Sequence, residues 1–425
     1  MDAALIRELK PELEEFLHRF DDCFSRRDTR AHLKSYVGGQ LSDVKRKNVE
    51  AMALEGGVPV RTLQEFLSQH KWDEDRMRDR LQQIVRDEHA HEHSIGIIDE
   101  TSDDKKGLKT PGVQRQYLGC SGKQDNGIVT VHLAYAADDF HCLLDGELFL
   151  PESWSADRSR CREAGIPEEM VYRPKSEIAL ELYDRARANG VTFTWLTFDE
   201  WYGAKPAFLR GLNDRGQYFV GETHCRFVAW TEKPSVTTRA YRKGGQGRPR
   251  RTPRITAQSP KPQFLEDLVR HKTVFTRQPW QQWRVKDGEK GPMVWEVKHA
   301  PIWIRGEDGL PIGPWHLIVC RNALDPTEVK YFISNAPPET PIGTLLLVAF
   351  SRWRVERCFQ DDKGEVGLDH YEGRRYTGLK RHLILSSVSL LFLSRVNQRL
   401  AGEKSGVDCV PGAHGGMRSG EVLVA

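Results

Sequence analysis

After Ser94 the apolar residues change their spacing, and that change constrains the fold more than any other feature of the chain. Before it, IRELKPELEEFLHRF, VKRKNVEAMALE, VRTLQEFLSQH and DEDRMRDRLQQIVRDEH place apolar residues every three or four positions, the period of amphipathic helices, with Gly-Gly-Val-Pro at 56–59 as a break. After it, SIGIIDE and IVTVHLAY (128–135) have strand character, and HCLLDGELFL (141–150) completes a hairpin. KSEIALELYDRARANG (175–190) returns to helical spacing and stops at a glycine, and VTFTWLTFDEWYG is again a strand. Strand, hairpin, helix, strand is the order of an α/β core.

From 216 to 340 the pattern is mainly β, with GQYFVGE, MVWEVKHAPIWI, WHLIVC and KYFISN separated by turns. TPIGTLLLVAFSRWRVERCFQ then resumes as one long helix, and a second apolar helix covers 379–399. These changes predict a helical domain over 1–92, an α/β core from 93–215 and 341–400, and a β-rich insertion over 216–340. The glycine-rich tail, 401–425, reads as disordered. A chain of 425 residues fits two or three compact units.

Composition excludes several function classes. A hydrophobic share of 39% with 29% charged residues is that of a soluble globular protein. The start, MDAALIRELKPELEEF, carries charge in every turn, unlike a signal or transit peptide. The longest apolar run, LILSSVSLLFLS at 383–394, is too short to span a bilayer, so a cytoplasmic protein without a membrane partner is expected. Eight cysteines without a C-x-x-C pair argue for reduced thiols rather than a zinc site or a disulfide framework.

Net charge is only +3, yet Lys233 to Leu265 holds nine Lys or Arg and no acid. Glycine and proline in RAYRKGGQGRPRRTPR (239–254) prevent a regular helix, so Arg248, Arg250, Arg251 and Arg254 read as a flexible phosphate-binding arm or as a solvated linker. The short N-terminal helices fit a helix-turn-helix DNA-binding unit with Arg61 near the recognition helix, and fit an ordinary helical bundle equally well.

Two acids close apolar strands: Asp99 in IIDET and Asp199 in LTFDEWYG. The end of a strand is where α/β folds place ligands, and also where an aspartate caps a helix. A third acid, Glu356, lies in SRWRVERCFQDDKGEVGLDH (351–370). On a helix, positions 352, 356 and 363 fall within about 60° of one another, beside an apolar stripe of Val348, Val355 and Phe359. A solvated face with an Arg–Glu pair gives the same pattern. Three carboxylates together form a hard oxygen donor set suited to Mg²⁺, with Mn²⁺ as a substitute.

Other motifs carry less. HAHEH (89–93) lacks further metal ligands, and GCSGK (119–123) has neither the spacing nor the following Ser or Thr of a phosphate loop. Asp103, Asp104, Asp361 and Asp362 read as solvated charges, and Trp201 and Tyr202 as core residues before base-stacking ones.

IIDETSDDKKG, GVQRQYLGCSGKQDNG, TFDEWYG and RWRVERCFQDDKGEVGLDHYEGRRYTGLKRH together resemble the DDE transposases of bacterial insertion sequences, in the group with a β-rich insertion before the catalytic glutamate. The resemblance covers roughly residues 10–400. The family signature, Tyr-x2-Arg-x3-Glu-x6-Lys, falls on Arg352, Glu356 and Lys363, with Ala349 in the tyrosine position and Phe350 beside it. The resemblance implies a ribonuclease H-like core and cut-and-paste transposition. It also implies Asp99, Asp199 and Glu356 as ligands of two divalent ions, and Arg352 and Lys363 on DNA phosphates near the cut. Double-stranded DNA and a second copy of the chain, as a homodimer on paired ends, are the implied partners. A metal-dependent nuclease without strand transfer, or a transposase-derived DNA-binding protein, stays open.

Overall fold

A computed structural model of the chain describes residues 3–239, 252–288 and 291–405. The chain divides into two compact units: one holds the described residues through Phe193 and again from Trp353, the other Thr194–Arg352. Helices and strands occur in both, so the α/β class expected from the sequence is found.

The first unit opens with α1 (Ala3–His18), α2 (Arg27–Gln40), α3 (Val49–Glu55), α4 (Val60–Ser68) and α5 (Glu74–His89). Asn48 and Asp73 start α3 and α5 by accepting the backbone N–H of Ala51 and Arg76, each at 2.9 Å, which satisfies a donor that the first helical turn leaves without a partner. The strands β1 (Ile95–Asp104), β2 (Gln114–Leu118), β3 (Lys123–Ala137) and β4 (Phe140–Leu148) follow, then α6 (Glu152–Ala156), α7 (Arg158–Ala164) and α8 (Lys175–Ala188). The spine is β3, antiparallel to β1 along one edge and to β2 and β4 along the other. Its alternating sequence is buried from Gly127 to Ala137, because helices and neighbouring strands cover both faces.

The second unit runs through β5 (Trp195–Phe198), α9 (Glu200–Gly203), α10 (Pro206–Asp214) and β6 (Phe219–Thr223). Four two-residue strands follow: β7 (Val228–Ala229), β8 (Val236–Thr237), β9 (Arg254–Ile255) and β10 (Gln263–Phe264). Then come α11 (Leu265–His271), α12 (Thr273–Thr276), β11 (Gln281–Gly288), β12 (Gly291–Arg305), β13 (Pro311–Asn322), β14 (Val329–Ser334) and α13 (Ile342–Ala349). Its strands are ordered β11-β12-β13-β14-β6-β5, antiparallel except for the parallel β5–β6 pair. Strands β6 to β14 fall within 216–340, in one compact unit with the strand that precedes Asp199.

The chain returns to the first unit with α14 (Trp353–Asp361), a π-helical turn over Asp362–Val366, and α15 (Tyr376–Ser405). The single helix expected over 340–360 is therefore two. Its first half ends because both the N–H and the hydroxyl of Ser351 bond the Val348 carbonyl, the hydroxyl at 2.7 Å, which tightens the last turn and stops the ladder. Arg352 precedes α14 and Lys363 sits in the π turn, so a uniform 100° per residue does not run from one to the other.

The helices expected as a domain of their own over 1–92 belong to the first unit. Buried polar contacts tie them to α15: Tyr36 Oη to His382 Nδ1 at 2.8 Å, Gln40 to Ser386 at 2.9 Å, and Ser389 to Gln40 at 2.8 Å. Buried Arg381 donates to the carbonyls of Phe66, Leu67, His70 and Trp72, pairs with Glu74 at 3.1 Å, and lies 4.5 Å over the Trp72 ring. The serines of the longest apolar run are thus part of helix packing, and no helix among the described residues is long and apolar enough to cross a membrane. The part of the expected disordered tail from 406 to 425 lies outside the described residues.

Candidate active site

Asp99 sits on β1 after Ile97 and Ile98, both wholly buried, and is itself only 8% exposed. Its Oδ1 accepts the N–H of Glu100 at 2.8 Å. In the β1–β3 register Asp99 stands directly opposite His132, and Thr101 opposite Thr130. Residues opposite one another in an antiparallel pair share a face, so Asp99, Thr101, Asp103, Thr130 and His132 lie on one side of the pair.

That side is covered by α14. Val355, Cys358 and Phe359 form its buried face, and Phe359 meets the His132 ring edge-on at 5.2 Å and 72°. Glu356, one turn before Phe359, is exposed. The π turn that follows brings Lys363 to β1, where its Nζ donates to the Ser102 carbonyl at 2.8 Å. Gly367 ends this turn at φ 83°, a left-handed conformation that glycine adopts without strain, and its N–H bonds the Asp362 carbonyl at 2.7 Å.

Two acids expected to be solvated are not. Strand β1 continues through Asp103, whose half-buried carboxyl pairs with Lys105; desolvation pushes it up to about 6 against the pull of that lysine. Asp362 is wholly buried, and neither carboxyl oxygen has a hydrogen-bond partner. Burial, then Asp369 and Asp361, raise it well above the usual carboxylate range, so it holds a proton. Asp104 is exposed, and half-buried Asp361 pairs with Arg357 at 2.9 Å.

In the second unit, half-buried Asp199 follows β5 and caps α9: its Oδ1 accepts the N–H of Trp201 at 3.0 Å and of Tyr202 at 3.2 Å. Tyr202 is buried core, and the Lys205 ammonium lies 4.8 Å over the Trp201 ring. Arg352 is the last described residue of that unit. Asp99, Glu356 and Lys363 therefore belong to one unit, Asp199 and Arg352 to the other.

The remaining expectations scatter. Arg61 stands on the first turn of α4, 86% exposed and paired with Glu65 at 2.7 Å. Arg254 is half-buried on β9, while Arg248, Arg250 and Arg251 lie outside the described residues. Of the HAHEH histidines, His89 ends α5 and stacks on Phe140 at 3.7 Å, whereas His91 faces Asp138 at 3.1 Å and meets the His93 ring edge-on at 5.6 Å. Among the described residues no three His, Cys, Asp or Glu side chains are gathered as a metal-binding group.

Sequence reasoning missed His132. The only local signal is an imidazole interrupting the apolar run IVTVHLAY, and its alignment with Asp99 depends on strand register.

A family model described as a DDE superfamily endonuclease matches residues 19–292, well over half the chain, a span that includes Asp99 and Asp199 and stops before Glu356. A probable transposase for insertion sequence element IS701, from Microchaete diplosiphon, is 36% identical over 168 residues, 39% of this chain and 41% of the relative's length. The NurA nuclease from Sulfolobus solfataricus aligns over 79% of this chain and 95% of its own at 10% identity, with a TM-score of 0.27, too low to bear on fold or function.

Proposed function

The chain belongs to the DDE superfamily endonuclease family, and from that premise we propose that it is the transposase of a bacterial insertion sequence, acting on double-stranded DNA. The core of the proposal is a ribonuclease H-like arrangement in which Asp99, Asp199 and Glu356 hold divalent ions, Mg²⁺ or Mn²⁺. The observation that supports it best is local: the helix carrying Glu356 packs, through Phe359, on the face of the strand pair that bears Asp99.

The donor chemistry fits a hard cation, since all three groups offer carboxylate oxygens. Divalent ions bound there would supply an activated water or DNA 3′-hydroxyl and stabilise the leaving oxygen. The protein's own part is placement. Asp99 is fixed by its strand and by the Glu100 N–H, and Asp199 by the cap it forms on α9, which leaves Oδ2 out of the cap. Lys363, held on the Ser102 carbonyl, and Arg352 would bind phosphates flanking the cut. The basic stretch with Arg248, Arg250, Arg251 and Arg254 would add contacts that do not depend on sequence. Exposed Arg61, on the first turn of α4, would also contact DNA. A homodimer on paired ends, in a bacterial cytoplasm, completes the reading.

A strand-transfer assay tests it: the purified chain, labelled DNA duplexes carrying the ends of its element, a target plasmid and Mg²⁺. Joined products support a transposase. Cleaved but unjoined ends point to a nuclease, and binding without cleavage to a DNA-binding protein.

A further inference from the structure

One buried group in the strand pair of Asp99 has no part in the chemistry above. His132 is 1% exposed and stands directly across from Asp99. Side chains so placed have Cβ atoms about 4.5–5.5 Å apart. Its ring is fixed from three directions. Nε2 is hydrogen-bonded to Thr130 Oγ1 at 2.8 Å, Phe359 meets the ring edge-on at 5.2 Å, and Gly146 stands opposite on β4. A Cβ on Gly146 would come within 2.6 Å of His132 Nδ1, so β4 makes room for this ring only by carrying no side chain there.

An aliphatic residue would fill such a site without the desolvation penalty of a buried imidazole. That penalty is visible: burial and Lys363 pull the ring down to about 3, so it is neutral at any physiological pH. Nδ1 has no hydrogen-bond partner, so the surroundings do not satisfy the imidazole fully. What they fix is the ring's position, between the strand of Asp99 and the helix of Glu356.

We propose that His132 is a positioning residue that, through its contact with Phe359, sets the spacing between the Asp99 strand and the Glu356 helix. The proposal rests on Asp99 and Glu356 being ion ligands. Outer-shell groups of this kind change metal affinity or activity by about 10–100-fold when replaced. Because His132 acts through Phe359, losing both should do no more harm than losing one.

The test is a double-mutant cycle in the full chain: His132→Gln, Phe359→Leu and the pair. Gly146→Ala, which crowds the ring from β4, is an independent variant should one of these fail to fold. Three quantities are read: Mn²⁺ affinity by electron paramagnetic resonance without DNA, kcat and KM on a duplex that the wild type cuts, and Tm. Each single variant is expected to lose about tenfold in Mn²⁺ affinity and in kcat at unchanged KM. The pair should lose no more than the worse single. Variants that fall in Tm but keep wild-type Mn²⁺ affinity and kcat per folded molecule, or losses that multiply in the pair, overturn the positioning role. Failure of the underlying reading shows elsewhere: Asp99→Asn and Glu356→Gln would then bind Mn²⁺ as the wild type does, and the proposal would go with it.

Discussion

The Nζ of Lys363 donates to the backbone carbonyl of Ser102 at 2.8 Å, which fastens the π turn after α14 to the strand that carries Asp99. A DNA phosphate would have to take this ammonium from a neutral carbonyl, and charge-assisted pairing favours that exchange. Lys363→Met keeps the aliphatic stem and removes the charge. Its cost in stability should be about 1 kcal/mol, that of one part-buried hydrogen bond, measured by urea unfolding. DNA cleavage should fall at least about tenfold, the equivalent of about 1.4 kcal/mol in the transition state. If cleavage falls only in proportion to the folded fraction, Lys363 is a structural tie and nothing more.

Arg381 bears on stability. Removing its guanidinium would leave the carbonyls of Phe66, Leu67, His70 and Trp72 without that donor and the Glu74 carboxylate without its partner, in a place where Arg381 is 5% exposed. Arg381→Met should lose about 3–5 kcal/mol, the range for breaking one side of a buried pair. Arg381→Lys should recover little, since an ammonium cannot reproduce the planar fork. A loss below about 1 kcal/mol for the methionine variant, by urea unfolding, would show that water replaces the arginine.

Asp362 makes stability fall as pH rises. An unfolded aspartate ionises near about 3.9, whereas the buried carboxyl keeps its proton well above that. Below the unfolded value both states hold the proton and the full stability is present. Above it only the unfolded chain releases the proton, and stability is lost until the folded value is passed. Asp103, pushed up to about 6, acts in the same sense over a narrower window. Asp362→Asn removes one titration and leaves the other. Relative to the wild type, the variant should gain stability as pH rises above the unfolded value of about 3.9, by at most about 1.4 kcal/mol per pH unit, in parallel urea unfolding series. Parallel curves would mean that Asp362 is ionised in the folded protein.

The parts of the site legible in the sequence are those written in local periodicity. The apolar run before Asp99 became β1, and the Val355 and Phe359 stripe became the buried face of α14. What the sequence hid depends on contacts between distant segments. Asp103 follows Thr101 and Ser102, polar residues that look like a turn, yet pairing with Ile128 on β3 carries the strand through them. Asp362 lies in a charged stretch, and only the π turn folds it inward. The break after α13 was missed because Ser351 competes for a backbone carbonyl, which hydrophobic spacing does not register. His132 looked like one polar position in a strand until register set it against Asp99.

The central claim is that Asp99, Asp199 and Glu356 act as one ion-binding set. It is tested most directly by Asp99→Asn, Asp199→Asn and Glu356→Gln, each nearly the shape of the wild-type residue, with Asp104→Asn as a control at an exposed position. DNA cleavage in Mg²⁺ and DNA binding without metal are measured side by side. Each of the three variants should lose cleavage by about a thousandfold or more, as when a group acting in the transition state is removed, while binding stays within about threefold and the control cleaves normally. Cleavage within about tenfold of wild type for any one of the three, in a variant that still folds and binds DNA, would contradict the claim for that residue and for the set.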